Sequence, residues 1–538
     1  MSGFKSSQQR IAIILDEECP RAVLDTIANH DYDDDVILSV ALGKLFDNEL
    51  LEIICSRLNK TKEEVDEFVI QTKKANHVKQ LSGICTVPWN HVSTNAVGTI
   101  RMCCQMINLD KYEGKEAYGT VYKNDGEVLT VEDNISENRN SPAWKRLRKQ
   151  MLAGEKPSIC NLCYQEEDNG IGSRRDWTND YFSDTLIKAV ELTDNDGSIK
   201  NEDFPIEYWD LRFGNKCNLA CRSCGPTDSD LWYNDWKTIK KTNTFVAPGH
   251  GTVTITDDNK TEGDVFEWYD NGNLLENIKK DIKNIKRFYF TGGEPTINHA
   301  HRKLLQFCID NGHADRIDLD YNTNMAGVPS KIFTQWKEFK SVNLGMSIDG
   351  IFEHFEYIRY PGKWSSAYKN MVRIDSEDGF ERVIAGVSLT LSIMNVLHVI
   401  DMQWWMLEQP WERIDPVITI HNLYGPPFYN IQNLTDEQKE YVKARYEKFI
   451  NDIKRRWPHA VEHTDRIEDK LKSVIRHMME TPQNKEDYTK FLSESKILDN
   501  ARSQDWKEVL PEIEEMLRSC TDKEQRKRNV KLATSGKR

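Results

Sequence analysis

Three cysteines stand close together in the stretch CNLACRSCGP: Cys217, Cys221 and Cys224, spaced C-x3-C-x2-C. Thiolates bind zinc and iron-sulfur clusters, so this spacing indicates a metal site. Three sulfurs can hold three irons of a [4Fe-4S] cube and leave the fourth iron open to another ligand. They can equally hold zinc, with His299 or His301 as the fourth ligand. The triplet by itself leaves both interpretations open.

A second group of cysteines lies upstream, where ICTVPWNHVSTNAVGTIRMCC is followed by a separate CNLC. The predicted ligands of this group are Cys85, Cys103, Cys160 and Cys163. Cys104 is an alternative to Cys103. Four thiolates can close one site, which suits either an iron-sulfur cluster or a structural zinc. We therefore expect one three-cysteine site and one four-cysteine site.

The composition limits the kind of protein that carries these sites. The chain has 538 residues and 12 cysteines, and its sequence contains neither a signal-peptide pattern nor an apolar run long enough to span a membrane. In a cytoplasmic protein, which we expect this to be, many cysteines indicate metal or redox chemistry rather than disulfides. The formal net charge of −14 argues against a nucleic-acid partner, because phosphate binding needs a basic surface.

Short apolar runs between residues 205 and 425 predict the strands that must position the three cysteines. They are EYWDLRF (207–213), RFYFTG (287–292), RIDLDYN (316–322), SVNLGMSI (341–348), RVIAGVSLTL (382–391) and PVITIHNL (416–423). Most intervals between them can hold a helix, and this alternation predicts a parallel α/β sheet. Six such units make a partial (β/α)6 TIM-type barrel. The long interval 225–285 is predicted to contain an insertion or hairpin. The three cysteines follow the first strand, at the end where barrel enzymes assemble their sites.

The regions around the barrel have different patterns. Residues 1–80 are predicted to be helical, with a capping box at Thr61 and Glu64. Residues 81–185 show a broken pattern, typical of a small module held partly by a metal.

Residues 430–538 are predicted to be helical and end in a basic tail that we expect to be solvated. Thr435 is the predicted N-cap of the first helix here, with Gln438 three residues on and Pro458 as the stop. The apolar positions of this helix are Val442, Tyr446, Phe449, Ile450 and Ile453.

Motifs at the ends of the later strands add to the cysteine triplet. The second strand ends in TGGEPT, the third in NTN and the fourth in SIDG, and Arg359 follows in HFEYIRYPGKW. The ordered combination of C-x3-C-x2-C, GGEP, NTN and SIDG over residues 205–425 resembles the radical S-adenosylmethionine (SAM) enzymes. In that family SAM occupies the open iron of a [4Fe-4S] cluster. Its reductive cleavage gives a 5'-deoxyadenosyl radical that abstracts hydrogen from the substrate.

The resemblance implies a role in SAM binding for particular residues. They are Gly292, Gly293, Glu294, Pro295, Asn324, Ser347 and Arg359. The GGE residues would line the amino group of SAM, Asn324 its ribose, and Ser347 and Arg359 its carboxylate. Arginine suits a carboxylate because it forms charge-assisted hydrogen bonds, although a surface ion pair is the alternative for Arg359. Ser223 replaces the aromatic residue that often covers the adenine, and Trp232 is a candidate substitute.

The upstream cysteines resemble the twitch or SPASM auxiliary-cluster module of the same family. In that module a cysteine, a glycine turn and a second cysteine are completed by a later C-x2-C, and here Cys85, Gly98 and Cys103 precede CNLC. The run YQEEDNGIGSRRDW after Cys163 contains no further cysteine, which favours the shorter twitch type. The module precedes the barrel in this chain, whereas the familiar arrangement places it after the barrel.

The resemblance implies a radical SAM oxidoreductase-like enzyme with one SAM-binding [4Fe-4S] cluster and one auxiliary iron-sulfur cluster. The expected substrate is a peptide or protein side chain, and the expected electron donor is a reductant such as flavodoxin or ferredoxin. One alternative is a radical SAM enzyme that acts on a small metabolite in cofactor or sugar biosynthesis. Another is a zinc-binding interaction protein without enzymatic activity. Asp349 of SIDG is a candidate base, although a carboxylate in such a turn is more often a structural acceptor.

Overall fold

The computed structural model describes residue 61 and residues 81–106, 119–168, 172–270 and 273–520. The predicted helical segment 1–80, except for Thr61, and the predicted basic tail beyond residue 520 lie outside these ranges. Within them the chain is a mixed α/β protein built on a largely parallel sheet. No helix of the described ranges is long and apolar enough to cross a membrane.

The strands are numbered in chain order. They are β1 (His91–Thr94), β2 (Ile100–Arg101), β3 (Tyr208–Arg212), β4 (Thr244–Ala247), β5 (Gly251–Thr254), β6 (Arg287–Thr291), β7 (Asp318–Thr323), β8 (Ser341–Ser347), β9 (Val383–Leu391) and β10 (Ile414–Asn422). The main sheet has the order β10-β9-β8-β7-β6-β3-β1-β2, in which only β1 and β2 are antiparallel. Strands β4 and β5 form a separate antiparallel hairpin within the predicted insertion.

The helices are also numbered in chain order. They are α1 (Val87–Asn90), α2 (Ile135–Asn138), α3 (Pro142–Leu152), α4 (Asn161–Asp168), α5 (Arg174–Tyr181), α6 (Ser183–Leu192), α7 (Trp232–Lys240), α8 (Asn273–Asp281), α9 (His299–Asp310), α10 (Ser330–Trp336), α11 (Phe352–Ile358), α12 (Trp364–Ser376), α13 (His398–Glu408), α14 (Asp436–Arg456), α15 (Val461–Glu480), α16 (Lys485–Arg502) and α17 (Trp506–Val509). Most of those between β6 and β10 connect parallel strands, as the alternating pattern predicts.

The two faces of the sheet differ in polarity. Leu211, Phe290, Tyr321 and Leu344 are in register on neighbouring strands and are all buried in the main hydrophobic core. On the opposite face the neighbouring row consists of Asp210, Tyr289, Asp320 and Asn343. We call this second side the polar face. The six strands predicted between 205 and 425 are confirmed as β3 and β6 to β10, and the described sheet is open rather than closed.

Strand β1 extends the sheet beyond the predicted six strands. It pairs in parallel with β3, with His91 opposite Tyr208 and Ser93 opposite Asp210. Trp89 beside it belongs to the same hydrophobic core as the strands that follow. The cysteine-rich segment therefore shares a sheet and a core with the barrel-like part, while the predicted domain boundaries stay predictions.

Helix α5 covers the beginning of the polar face. The Trp177 ring lies 5.9 Å from the ring of Tyr208, and the Arg287 guanidinium lies over both Trp177 and Tyr181 at 4.6 and 4.7 Å. Tyr208 and Arg287 are in register near the strand starts. The uncovered part of the polar face is therefore towards the carboxyl ends of the strands, where the three-cysteine loop begins.

The first helix of the C-terminal region begins as predicted. Thr435 caps α14, its hydroxyl accepts from the Gln438 amide, and the Gln438 side chain completes the capping box. The helix ends at Arg456, just before Pro458. The predicted apolar positions, which are Val442, Tyr446, Phe449, Ile450 and Ile453, are all buried.

Candidate functional site

The three-cysteine site is a buried loop that follows β3. Cys217 and Cys221 pack around Leu219, and Cys224 packs against the same cluster. The backbone N–H of Cys217 donates to Asp230 at 3.1 Å, and the N–H of Leu219 lies 3.4 Å from the Cys217 sulfur. The short C-x3-C-x2-C spacing thus brings three thiols together on one turn of chain.

The thiols of this loop influence one another. A hydrogen bond with Cys224 and the positive charge of Arg359 lower the pKa of Cys221, although burial opposes them. The same hydrogen bond and burial raise the pKa of Cys224. Burial and the neighbouring Cys221 raise the pKa of Cys217. Such a group of close sulfurs suits a bound cation, which compensates their charge and releases their protons.

The GGEP turn needs both of its glycines. Gly292 has a φ of +93°, and a Cβ there would lie 2.3 Å from Cγ of Arg212. A Cβ on Gly293 would lie 2.1 Å from the carbonyl oxygen of Lys216. The turn therefore packs against the segment that leads into the cysteine loop. Pro295 is buried and begins the short 3-10 turn Pro295–Ile297.

Glu294 joins the GGEP and NTN motifs. Its side chain is 2% exposed, and its carboxylate accepts from the Thr323 hydroxyl at 2.9 Å and from the Asn324 amide at 2.8 Å. It also accepts from both the amide and the hydroxyl of Thr296. The Asn324 side chain in turn donates to Asn218 of the cysteine loop at 2.9 Å. Burial raises the pKa of Glu294. The cysteine loop, the GGEP turn and the NTN motif therefore form one hydrogen-bonded unit.

Arg359 lies beside the cysteine loop. Its Nη2 is 2.8 Å from Asp349, its Nη1 is 3.9 Å from the Cys221 sulfur, and its buried Nε has no partner within the described residues. The side chains of Arg359 and Asp349 are only 10% and 2% exposed, so the surface ion pair considered for Arg359 is wrong. Asp349 also accepts from the Thr390 amide, which makes it a structural acceptor. Ser347 is half-buried at the end of β8, opposite Ser388.

A distant helix braces the cysteine loop. Arg222, between two of the cysteines, forms a buried ion pair with Asp499 of α16 and lies 3.6 Å from the ring centroid of Tyr357. Trp232 donates to the Cys221 carbonyl at 2.9 Å, with the Arg502 guanidinium over its ring. Trp232 therefore supports the loop, and its contact with adenine stays a prediction. Sequence reasoning missed Asp499 because 277 positions separate it from Arg222 and no local pattern connects them.

The four-cysteine site is a cavity in the segment before β3. Its wall contains all four predicted ligands, Cys85, Cys103, Cys160 and Cys163. Burial raises the pKa of Cys85 and Cys160, and raises that of Cys163 to about 12. The predicted glycine turn is present, because Gly98 has a φ of +78° and a Cβ there would lie 2.7 Å from Trp268.

The structure distinguishes between the adjacent Cys103 and Cys104. Of these two described cysteines, only Cys103 lines the cavity. A hydrogen bond with Cys103 and burial raise the pKa of Cys104, which also hydrogen-bonds to Asp210 on the polar face. Cys103 is therefore the better candidate ligand.

The histidines proposed for a zinc site have other partners. His301 packs against Phe290 and its Nε2 lies 2.8 Å from the Tyr321 hydroxyl, while His299 pairs with Asp270. Neither contact involves the three-cysteine loop.

A separate group of potential metal ligands contains His354, His398 and Glu512. The two histidine rings stack with centroids 3.6 Å apart, and His354 Nε2 lies 3.0 Å from Glu512. The Nε2 atom of His398 accepts a hydrogen bond from the Ile351 amide at 3.1 Å, so its lone pair is already used. We therefore assign this group a packing role.

Comparison with solved structures gives distant similarities. Native anSMEcpe with bound AdoMet and Cp18Cys peptide shares 14% identity over 46% of this chain and 60% of that chain, with a TM-score of 0.29. Streptococcus suis SuiB bound to S-adenosylmethionine shares 10% identity over 57% of this chain and 62% of that chain, with a TM-score of 0.27. SuiB bound to precursor peptide SuiA gives 10% identity over 58% and 64% of the two chains and a TM-score of 0.28.

These similarities are too weak to carry a functional argument. The chain spans about 60% of the length of the first of these solved structures. No protein-family model and no curated protein matches the chain. The assignment of a function therefore depends on the site itself.

Proposed function

We propose that the protein is a cytoplasmic radical SAM enzyme. The observation that carries the proposal is the single hydrogen-bonded unit formed by the three-cysteine loop, GGEP and NTN, with Arg359 beside Cys221. Three thiols with no fourth protein ligand among their described contacts fit a [4Fe-4S] cluster that leaves one iron open. The ordered motifs of the sequence support the same assignment.

Each residue of the unit has a proposed task. Cys217, Cys221 and Cys224 hold the cluster. The partnerless Nε of Arg359 offers a buried donor for the SAM carboxylate, and Ser347 lies at the end of a neighbouring strand. We assign the GGEP turn, which its glycines allow to pack against the start of the cysteine loop, to the SAM amino group, and Asn324, bonded to Asn218 of that loop, to the ribose. Bound SAM would supply a 5'-deoxyadenosyl radical for hydrogen abstraction from the substrate.

The four-cysteine cavity is the proposed site of an auxiliary iron-sulfur cluster of the twitch type. Its four thiols, three from buried cysteines and one from the half-buried Cys160, would complete a closed ligand set, so this site suits electron transfer rather than substrate binding. A second redox centre favours net oxidation, crosslinking or maturation of the substrate over isomerisation. A reductant such as flavodoxin or ferredoxin would supply the electron for SAM cleavage.

We propose a peptide or protein side chain as the substrate. The polar face is partly exposed towards the carboxyl ends of β7 to β9, where Asn322 of β7 and Ser388 of β9 lie on either side of β8. Amide and hydroxyl groups of this kind can bind a polypeptide backbone. A small metabolite is the second candidate substrate, since the same groups can bind it.

Anaerobic reconstitution tests the proposal. The wild-type protein should hold about eight irons if both sites carry four-iron clusters, and should form 5'-deoxyadenosine from SAM under dithionite. Replacing Cys217, Cys221 and Cys224 together by Ala should reduce the iron to about four and remove this product. Replacing Cys160 and Cys163 by Ala is the matched control, which should lose about four irons but retain SAM cleavage.

Two outcomes would contradict the proposal. Zinc in place of iron, without 5'-deoxyadenosine, would favour the non-enzymatic zinc-binding alternative. Continued SAM cleavage after loss of the three cysteines would show that the cluster assignment is wrong. Deuterated peptides and deuterated metabolites, incubated separately with the protein and unlabelled SAM, distinguish the two substrate classes. The class that contains the substrate should transfer deuterium to 5'-deoxyadenosine, which mass spectrometry detects.

A further inference from the structure

Two neighbouring arginines in the wall of the four-cysteine cavity have different partners. Arg174 and Arg175 begin helix α5, and both line the cavity. Arg175 uses all its donor nitrogens within the protein: Nε and Nη2 donate to Glu167, and Nη1 donates to the Ile84 carbonyl at 2.9 Å. Each of its three nitrogens thus has an acceptor within the protein, and its guanidinium supports the fold around the cavity.

Arg174 has an unused donor. Its Nη2 donates to Asp210 at 3.0 Å and to the Tyr208 hydroxyl. Its Nε is buried and has no hydrogen-bond partner within the described residues. A buried N–H without an acceptor destabilises the folded state, so native structures rarely leave such groups unpaired. The position of Arg174 in the cavity wall indicates that the acceptor is a group bound in the cavity.

The cysteines identify the chemistry of that acceptor. Arg174 shares the cavity wall with all four predicted ligand cysteines, so its side chain faces the same enclosed space as their thiols. Thiolate and inorganic sulfide sulfurs accept N–H hydrogen bonds, and such bonds are a main determinant of iron-sulfur reduction potentials. A donor to sulfur stabilises the reduced cluster, which is the more negative form.

We propose that Arg174 donates a hydrogen bond from Nε to a sulfur of the auxiliary cluster and raises its reduction potential. This inference rests on the proposed auxiliary cluster. Arg174 is a positioning residue that also reaches the polar face, because its guanidinium lies 5.0 Å from the ring centroid of Tyr289 and is bonded to Asp210. It thereby connects the cluster to the surface proposed to face the substrate.

The test uses the full chain with Cys217, Cys221 and Cys224 replaced by Ala, so that only the auxiliary cluster contributes a signal. Arg174→Lys and Arg175→Lys form a matched pair, since both retain the positive charge. In a redox titration followed by EPR, R174K should lower the ratio of reduced to oxidised cluster about tenfold at a fixed potential, a shift of ~59 mV for one electron. R175K should shift the reduction potential of the cluster by clearly less.

A second measurement detects the arginine nitrogen beside the cluster directly, and the parent chain alone already tests whether such a nitrogen is present. In protein labelled with 15N-arginine, pulsed EPR of the reduced cluster should detect a 15N coupling in the parent chain and in R175K, but not in R174K. Absence of the coupling in the parent chain, or equal potentials for the two variants, would overturn the role of Arg174. A parent chain that binds no iron would instead refute the auxiliary cluster itself.

Discussion

The two cysteine sites differ in how the chain delivers their ligands. The three-cysteine site takes all its sulfurs from one loop after β3, so its ligands approach from one side. The four-cysteine site takes its sulfurs from separate elements, including the segment after β2 and the start of α4, which surround a cavity. Ligands on a single loop leave room for a further molecule, whereas ligands from several elements enclose what they bind.

The sites also have a common feature. Each has an arginine whose buried Nε lacks a partner within the described ranges: Arg359 beside the open site and Arg174 beside the closed one. In the open site we assign this donor to SAM, and in the closed site to a cluster sulfur. The same unsatisfied group thus has a different proposed acceptor because the surrounding ligands differ.

The largest expected effect concerns the support of the open site. Asp499→Asn should destabilise the protein by about 3 kcal/mol, because it breaks the buried ion pair with Arg222 and weakens the acceptor for Tyr357. Iron at the three-cysteine site should fall while iron at the four-cysteine site is retained. Chemical denaturation and iron analysis in the C160A/C163A and C217A/C221A/C224A backgrounds measure both effects.

The control for this variant is a pair outside the loop. Glu408→Gln removes the partner of Arg456 in an exposed ion pair and should cost less than about 1 kcal/mol. Equal iron loss from both cysteine sites in D499N would show that α16 stabilises the whole fold and not the open site in particular.

The contrast between the sites explains what the sequence could predict. The three cysteines of the open site share one short motif, and the neighbouring strands have clear apolar runs, so the proximity of the cysteines and the strands are both predictable from sequence. The capping box of α14 was equally local. By contrast, β1 has only four residues, and its partner β3 lies more than one hundred positions away. Helix α5 has the sequence RRDWTNDY, and Thr178 is its one buried residue. It has no apolar stripe from which its position against the sheet could be predicted.

A smaller effect is expected at the edge of the open site that we propose binds SAM. Arg359→Lys keeps the charge next to Asp349 but removes the planar guanidinium and its free Nε. We expect the dissociation constant of SAM to rise about tenfold, equivalent to about 1.4 kcal/mol. Equilibrium binding to the anaerobically reconstituted protein measures this, with iron content as the check that the cluster is intact.

The matched variant for this binding experiment is Arg373→Lys. Arg373 of α12 pairs with Glu377, the residue that follows this helix, and is not among the contacts described for the cysteine loop. Its SAM affinity should equal that of the wild type. If R359K binds SAM as tightly as R373K, Arg359 serves the loop only through its ion pair with Asp349.

The smallest expected effect separates the adjacent cysteines of the closed site. Cys104→Ser should leave the iron content unchanged, because its side chain faces Asp210 and the cavity is lined by Cys103. Cys103→Ser should lose the iron of this site. Iron analysis in the C217A/C221A/C224A background compares the two directly. Loss of iron in C104S with retention in C103S would reverse the ligand assignment, and it would mean that the closed site opens towards the polar face rather than away from it.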